Sequence, residues 1–144
     1  MKVVIGPYVD EGEREIDIVI HKYDTWNLES TLAKIIYPAL VQFRQETNSA
    51  PSVDDEDVPE NIRSTAAKTK ENDWETDEFH FKRWDYVLDE MIWSFDMWID
   101  GKWEEPYYDK NSEFYHEKQF LKERYDRIKN GFRLFGKYYT SLWS

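Results

Sequence analysis

Cysteine is absent from this chain of 144 residues, which excludes thiol catalysis, disulfide bonds and cysteine-based zinc or iron–sulfur sites. Glycine is scarce at 5 residues, and there is no glycine-rich phosphate loop, no HExxH and no Gly-x-Ser-x-Gly pattern. No apolar run approaches the ~18 residues of a membrane span, and the first residues show no signal-peptide pattern. We therefore expect a protein of the cytoplasm that does not enter a membrane.

Aromatic and acidic residues are both abundant. The chain contains 7 Trp, 10 Tyr and 8 Phe, and its formal net charge is −11. An aromatic side chain buries roughly 150–250 Å², so these rings can form a core without disulfides or metals. The length indicates a single domain over residues 1–144. The combination is typical of a compact acidic binding protein and indicates no particular reaction.

The negative charge is concentrated in the middle of the chain. Residues 51–105 contain 17 acidic and 6 basic residues, whereas residues 106–144 contain 5 acidic and 8 basic residues. A surface with this charge repels nucleic acid and anionic lipid and attracts basic proteins. The basic C-terminal segment is also expected to be drawn to the acidic middle of the same molecule.

The pattern of apolar residues predicts an α+β fold, in which an N-terminal antiparallel β-hairpin packs on a bundle of about three helices. Ile16, Ile18 and Ile20 recur at every second position, which predicts a strand. A two-stranded ribbon is marginal alone, so one of its faces is expected to pack on the helices. The predicted elements are a hairpin over 1–21, helices over 25–46, 76–100 and 112–142, and an acidic loop over 47–73.

The helix predicted over 76–100 carries the clearest apolar stripe. Trp84, Val87, Leu88, Met91, Ile92, Phe95, Trp98 and Ile99 recur at helical spacing and are expected to face the core. Trp93 lies off this stripe among acidic residues, and we expect it to be exposed as an anchor for a binding partner. In the last helix, Gly131 either permits close helix contact or ends one helix and starts another.

Acidic residues near helix starts give two weaker metal-binding hypotheses. The patterns Asp-x-x-His at 77–80 and Glu-x-x-His at 113–116 share the spacing of di-metal helical bundles. The patterns Glu-x-x-Glu at 75–78 and Glu-x-x-Asp at 123–126 match all-helical nucleotide pyrophosphatases, in which carboxylates hold Mg²⁺ against phosphates. The alternative function is therefore a metal-dependent nucleotide hydrolase, with Mg²⁺ ligands drawn from Glu75, Glu78, His80, Glu123 and Asp126.

The leading hypothesis is a protein-binding surface that requires no cofactor. The acids form three groups: the run 54–57, the segment 71–78, and a helical stripe of Asp85, Asp89, Asp96 and Asp100. Carboxylates repeated along a helix at about 5–6 Å can imitate the phosphates of a nucleic acid. The candidate binding residues are Asp54, Asp55, Glu56, Asp57, Asp73, Glu75, Asp85, Asp89, Trp93 and Asp96.

Four sequence blocks between residues 22 and 139 form a specific set. They are DTW at 24–26 followed by LESTLAKIIYPAL, then VDDEDVPENIRSTAA, FKRWDYVLDEMIW and RIKNGFRLFGKYY. Together they resemble a family of uncharacterised proteins encoded by tailed bacteriophages. The resemblance implies a phage gene product that acts in an infected bacterial cell, and it implies no specific activity. It adds weight to the candidates that the blocks contain or directly follow, namely Asp54–Asp57, His80, Arg83, Trp84, Asp85, Asp89 and Glu90, of which His80 stands just before the third block.

The sequence thus predicts a non-enzymatic phage accessory protein. Its acidic face is expected to bind a host or phage protein with a basic surface, and in the most specific form of the hypothesis it mimics a nucleic acid. Neither direct nucleic-acid binding nor membrane binding is expected, and a homo-oligomer remains open. The alternatives are the nucleotide hydrolase and a structural component of the virion.

Overall fold

The computed structural model describes residues 1–9 and 12–144. The chain begins with an antiparallel ribbon in which β1 (Lys2–Val9) pairs with β2 (Glu13–Val19). It continues through α1 (Leu28–Glu46), α2 (His80–Trp98), the short helix α3 (Glu105–Tyr108) and α4 (Lys118–Lys137). The predicted α+β fold with an N-terminal hairpin is confirmed. Residues 10 and 11 of the predicted hairpin lie outside the described residues.

Helix α2 is the centre of the helical bundle, because it packs against both α1 and α4. The predicted stripe forms the core: Trp84, Val87, Leu88, Met91 and Phe95 are buried, with Ile92, Trp98 and Ile99 packed against them. Gly131 of α4 lies directly against α2. A Cβ atom at this position would lie 1.9 Å from the Ser94 hydroxyl oxygen and 2.8 Å from the Glu90 carbonyl oxygen. Gly131 therefore permits close helix contact, and α4 continues through it.

Helix α2 begins later and ends earlier than the prediction of 76–100. Asp77 stabilises a turn before the helix, since its carboxylate accepts hydrogen bonds from the Phe79 N–H at 2.8 Å and the Arg83 guanidinium at 2.7 Å. After the last helical residue, Asp100 and Gly101 adopt positive φ angles of 52° and 73°. These left-handed conformations stop the helix.

The other two long helices are also shorter than predicted. Residues Lys22–Thr25 form a 3₁₀ turn before α1, because Asp24 accepts hydrogen bonds from the His21 N–H at 2.7 Å and the terminal ammonium at 2.8 Å. Helix α4 begins after His116, whose φ of 58° interrupts the predicted segment 112–142. Within the described ranges, no helix has the length and apolar character needed to cross a bilayer.

The ribbon contacts the helices near its base. Val3 lines a depression together with Lys34 and Ile35 of α1. Further out, Ile5 and Ile16 remain 49% and 65% exposed. The ribbon therefore projects from the bundle with much of its apolar surface uncovered.

Candidate functional site

Two of the predicted acidic groups lie in the long connection between α1 and α2. Three 3₁₀ turns, Asp55–Asp57, Glu60–Ile62 and Ser64–Ala66, shape its first half. Asp55 accepts hydrogen bonds from the Ser64 N–H, at 2.8 Å, and from the Ser64 hydroxyl. Arg83 of α2 donates a hydrogen bond to the Ile62 carbonyl at 3.0 Å. The connection is thus held in one conformation by its own polar groups.

Asp57 faces the interior, and its expected place on an outward acidic surface is wrong. Its side chain is 1% exposed, and it accepts hydrogen bonds from Arg133 at 2.7 Å, Lys137 at 2.6 Å and the Tyr138 hydroxyl at 2.6 Å. Tyr138 in turn accepts a hydrogen bond from the Asp54 N–H at 3.0 Å. This buried network fastens the first acidic run to the C-terminal end of α4.

The Lys137 ammonium lies between three carboxylates of this run. Its nitrogen is 2.7 Å from Asp54, 3.3 Å from Glu56 and 2.6 Å from Asp57. These are also the three side chains that the described residues bring close enough together to hold a metal ion. Hydrogen bonds to Asp54 and Asp57 raise the pKa of Lys137, so the amine stays protonated and fills the position that a metal ion would need.

The pKa values within the network follow from burial and hydrogen bonding. Burial raises the pKa of Asp57, but the hydrogen bonds from Lys137, Tyr138 and Arg133 together outweigh it, so the pKa lies below its ordinary value. Burial and the hydrogen bond to Asp57 raise the pKa of Tyr138 to about 12. At neutral pH the network therefore consists of an ionised carboxylate and a neutral phenol.

The acidic stripe of α2 is paired with cations of the same molecule. Arg44 of α1 lies 3.2 Å from Asp85 and 3.1 Å from Asp89. The remaining two pairs are Lys102–Asp96, at 2.6 Å, and Lys34–Asp100, at 2.8 Å. These side chains are partly exposed, so each pair contributes little to stability. Four carboxylates of the stripe thus share three cations of the same molecule, which reduces the net charge of the stripe.

Trp93 is half-buried, and its expected exposure among acids is wrong. The Arg127 guanidinium lies over the indole with its carbon 3.7 Å from the ring centroid, and Arg124 lies at 5.6 Å. Arg127 is held there by two hydrogen bonds to the buried carboxylate of Glu90, at 2.9 and 3.0 Å. Two arginines of α4 therefore cover the face of Trp93 that a partner would contact.

The five candidate Mg²⁺ ligands do not form a shared cluster among the described residues. Glu78 accepts a hydrogen bond from the Lys68 N–H at 2.9 Å, and the His80 ring nitrogen lies 3.1 Å from the Ala50 carbonyl oxygen. Glu123 accepts a hydrogen bond from Gln119 at 2.9 Å, and Asp126 pairs with Lys122 at 2.5 Å. Glu75 accepts a hydrogen bond from the Asn72 side-chain amide at 3.0 Å. The structure thus gives the hydrolase hypothesis no metal centre at these positions.

The segment 71–78 keeps three of its acids outward. Glu71, Asp73 and Glu78 are exposed, and none of them has a Lys or Arg side-chain nitrogen within 4.0 Å among the described residues. Trp74 lies between Asp73 and Glu75, and it is 81% exposed. An exposed tryptophan flanked by acids, the feature expected at Trp93, is therefore found at Trp74.

Sequence reasoning missed Trp74 because it treated most tryptophans as core residues. Residues 70–78 offered a usable signal, since Trp74 is their one apolar side chain and has no partner at helical spacing. Trp93 could not be placed in the same way, because Arg124 and Arg127 reach it from a different helix.

Comparisons with known proteins add no further constraint. No family model, no curated protein and no solved structure matches the chain.

Proposed function

We propose that this chain is a non-enzymatic accessory protein of a tailed bacteriophage, and that residues 71–78 bind a partner protein with a basic surface. The observation that carries the proposal is the exposure of Trp74 between unpaired carboxylates. In the other two acidic groups, every acid except Asp55 pairs with a cation of the same molecule, and Asp55 is hydrogen-bonded to Ser64. The segment 71–78 therefore holds acidic charge that remains free for a partner. The phage origin is supported by the four sequence blocks that resemble the phage family.

The physical mechanism has two stages. The net charge of −11 and the exposed acids attract a basic partner over long range, which raises the rate of encounter. Trp74 then enters a pocket on the partner, since a tryptophan buries a large area and is a frequent energetic anchor of interfaces. A homo-oligomer would present two such segments and strengthen binding through avidity.

The segment is positioned well enough to act as a recognition surface. The Lys70 ammonium donates a hydrogen bond to the Asp73 carbonyl at 3.2 Å, and Asn72 bonds with Glu75 at 3.0 Å. At its end, Asp77 pairs with the buried Arg83 at 2.7 Å. These contacts reduce the conformational entropy that the segment loses on binding.

The test compares Trp74→Ala with Trp26→Ala in affinity capture from lysates of infected and uninfected bacteria. Trp26 is the matched control, because it is 78% exposed but lies outside the acidic segment. We expect Trp74→Ala to weaken capture of the partner at least about 30-fold, the effect of a hot-spot residue. Trp26→Ala is expected to leave capture unchanged, and the two lysates show whether the partner is encoded by host or phage.

Salt provides the second measurement. Capture by the wild type is expected to weaken steeply as the ionic strength rises, because the exposed charges are screened. Capture that survives Trp74→Ala, or that is insensitive to salt, contradicts the proposal.

A further inference from the structure

The protein exposes more surface than a compact chain of its mass. Its solvent-accessible surface is 10293 Å², whereas a folded monomer of 17.6 kDa is expected to expose roughly 7,900 Å². The difference is roughly 2,400 Å². In obligate dimers the two subunits together bury about 2,000–5,000 Å², so the excess is of the size that one subunit of a large interface buries.

One source of this excess is the ribbon. Val3 pairs with Ile18 and Ile5 pairs with Ile16, so these four side chains share one face of the ribbon, and Ile20 follows at the same spacing directly after β2. All five side chains are exposed: Val3 by 37%, Ile5 by 49%, Ile16 by 65%, Ile18 by 49% and Ile20 by 59%. A ribbon of two strands is marginal in water, so this aliphatic face requires a cover.

The second source is a groove between α1 and α4, which pack on α2 from two sides. One part of the groove has a volume of about 300 Å³. Ile35, Ala39 and Phe43 line it from α1, and Phe135, Tyr139 and Leu142 line it from the C-terminal part of the chain. No charged side chain lines this part, so a charged occupant would find no ion-pair partner there.

The ribbon and the groove meet at Ile35. Ile35 lines the groove and also the depression that contains Val3. The aliphatic face of the ribbon therefore meets the wall of the groove at the base of the ribbon.

We propose that a second copy of this chain covers this surface, and that the aliphatic ribbon face of each copy lies in the α1–α4 groove of the other. A single chain supplies both a projecting apolar ribbon and an open apolar groove, and a two-fold axis satisfies both at once. The opposite ribbon face carries the Lys2–Asp17 ion pair and stays in water. The surface that the dimer buries does not include the segment 71–78.

The charge of the protein gives the dimer its own salt dependence. Each copy has a net charge of −11, so the two copies repel one another at low ionic strength. Added salt screens this repulsion, and the dimer is expected to strengthen with salt. The binding of a basic partner has the opposite dependence, so failure of one proposal can be told from failure of the other.

The test is the molar mass of the full chain over a dilution series, measured by sedimentation equilibrium. The wild type is expected to have twice the chain mass of 17.6 kDa. Ile16→Glu places a charge on the aliphatic ribbon face and is expected to return the mass to that of one chain. Val19→Glu is the matched control, because Val19 is 40% exposed on the opposite face and pairs with Lys2, so the new carboxylate meets a cation across the ribbon.

A second variant separates ribbon-in-groove exchange from other modes of self-association. Ala39→Glu places a charge in the groove wall, and it is expected to give a monomer as well. A mixture of Ile16→Glu and Ala39→Glu can form a heterodimer in which one of the two interfaces is free of both substitutions. The mixture is therefore expected to have a higher average molar mass than either variant alone. The far-ultraviolet circular dichroism of each variant is expected to match that of the wild type, which shows that both are folded.

Three results would overturn the proposal. If the wild type has the mass of one chain at every concentration and ionic strength, the protein does not form the proposed dimer. A dimer that Val19→Glu disrupts as strongly as Ile16→Glu does not use the aliphatic face. A mixture that stays monomeric while each variant is folded excludes exchange between ribbon and groove.

Discussion

The two acidic segments of the α1–α2 connection have similar composition and opposite surroundings. Residues 54–57 meet the cationic end of α4, and Asp57 becomes a buried acceptor for Arg133, Lys137 and Tyr138. Residues 71–78 meet no such cationic helix end: Asp77 pairs with Arg83 of α2, whereas Glu71, Asp73 and Glu78 stay in water near an exposed tryptophan. The first segment therefore holds the fold together, whereas the second is available for recognition.

This difference shows that the role of an acidic run depends on the element that faces it. Arg133 and Lys137 are four residues apart on one face of α4, so both can reach a single carboxylate. The position of that face depends on how closely α4 approaches α2, which Gly131 determines. The difference between the two segments can therefore be tested in three ways: by changing the contact between α4 and α2, by replacing the Asp57 carboxylate, or by protonating that carboxylate.

The largest effect is expected from Gly131→Ala. The new methyl group would lie 1.9 Å from the Ser94 hydroxyl and 2.8 Å from the Glu90 carbonyl oxygen, and backbone cannot move aside cheaply. Helix α4 must shift away from α2, and the pairs with Asp57 are strained with it. We expect a loss of about 3 kcal/mol in the free energy of unfolding, measured by urea denaturation.

Gly136→Ala is the matched control on the same helix. No atom lies within 4 Å of a Cβ atom at Gly136, so the substitution removes only the flexibility of glycine. It is expected to stabilise the protein by about 0.5–1 kcal/mol. Equal destabilisation by the two substitutions would show that α4 does not approach α2 closely at Gly131.

An intermediate effect is expected from Asp57→Asn. The amide keeps the shape of the carboxylate but loses its charge, and its NH₂ group faces the donors of Arg133, Lys137 and Tyr138. We expect a loss of about 2 kcal/mol in the free energy of unfolding. Asp73→Asn makes the same chemical change in the second segment and is expected to alter stability by no more than about 0.5 kcal/mol. Similar losses for both variants would remove the distinction between the segments.

The sequence predicted the elements better than it predicted the surfaces. The apolar stripe of α2 and the hairpin follow from local periodicity, and both are found in the structure. The exposure of Asp57 and Trp93 was predicted incorrectly, because both are covered by side chains of α4 that lie more than thirty residues away in sequence. Local pattern does not specify which helix face meets which loop, so the distinction between structural and free acids required the tertiary structure.

The smallest effect is expected from acid, and it follows from the lowered pKa of Asp57. A carboxylate whose pKa is lower in the folded state contributes stability that is present above its ordinary pKa of 3.8 and is lost as the pH falls through the folded-state value. Asp57→Asn has no group to protonate at this position, so the difference in stability between wild type and variant is expected to shrink from about pH 6 to about pH 2. Asp77, whose pKa the Arg83 hydrogen bond lowers, contributes to the acid slope of both proteins alike. Urea midpoints measured across this range test the expectation, and a difference that stays constant with pH would show that Asp57 is not held ionised by α4.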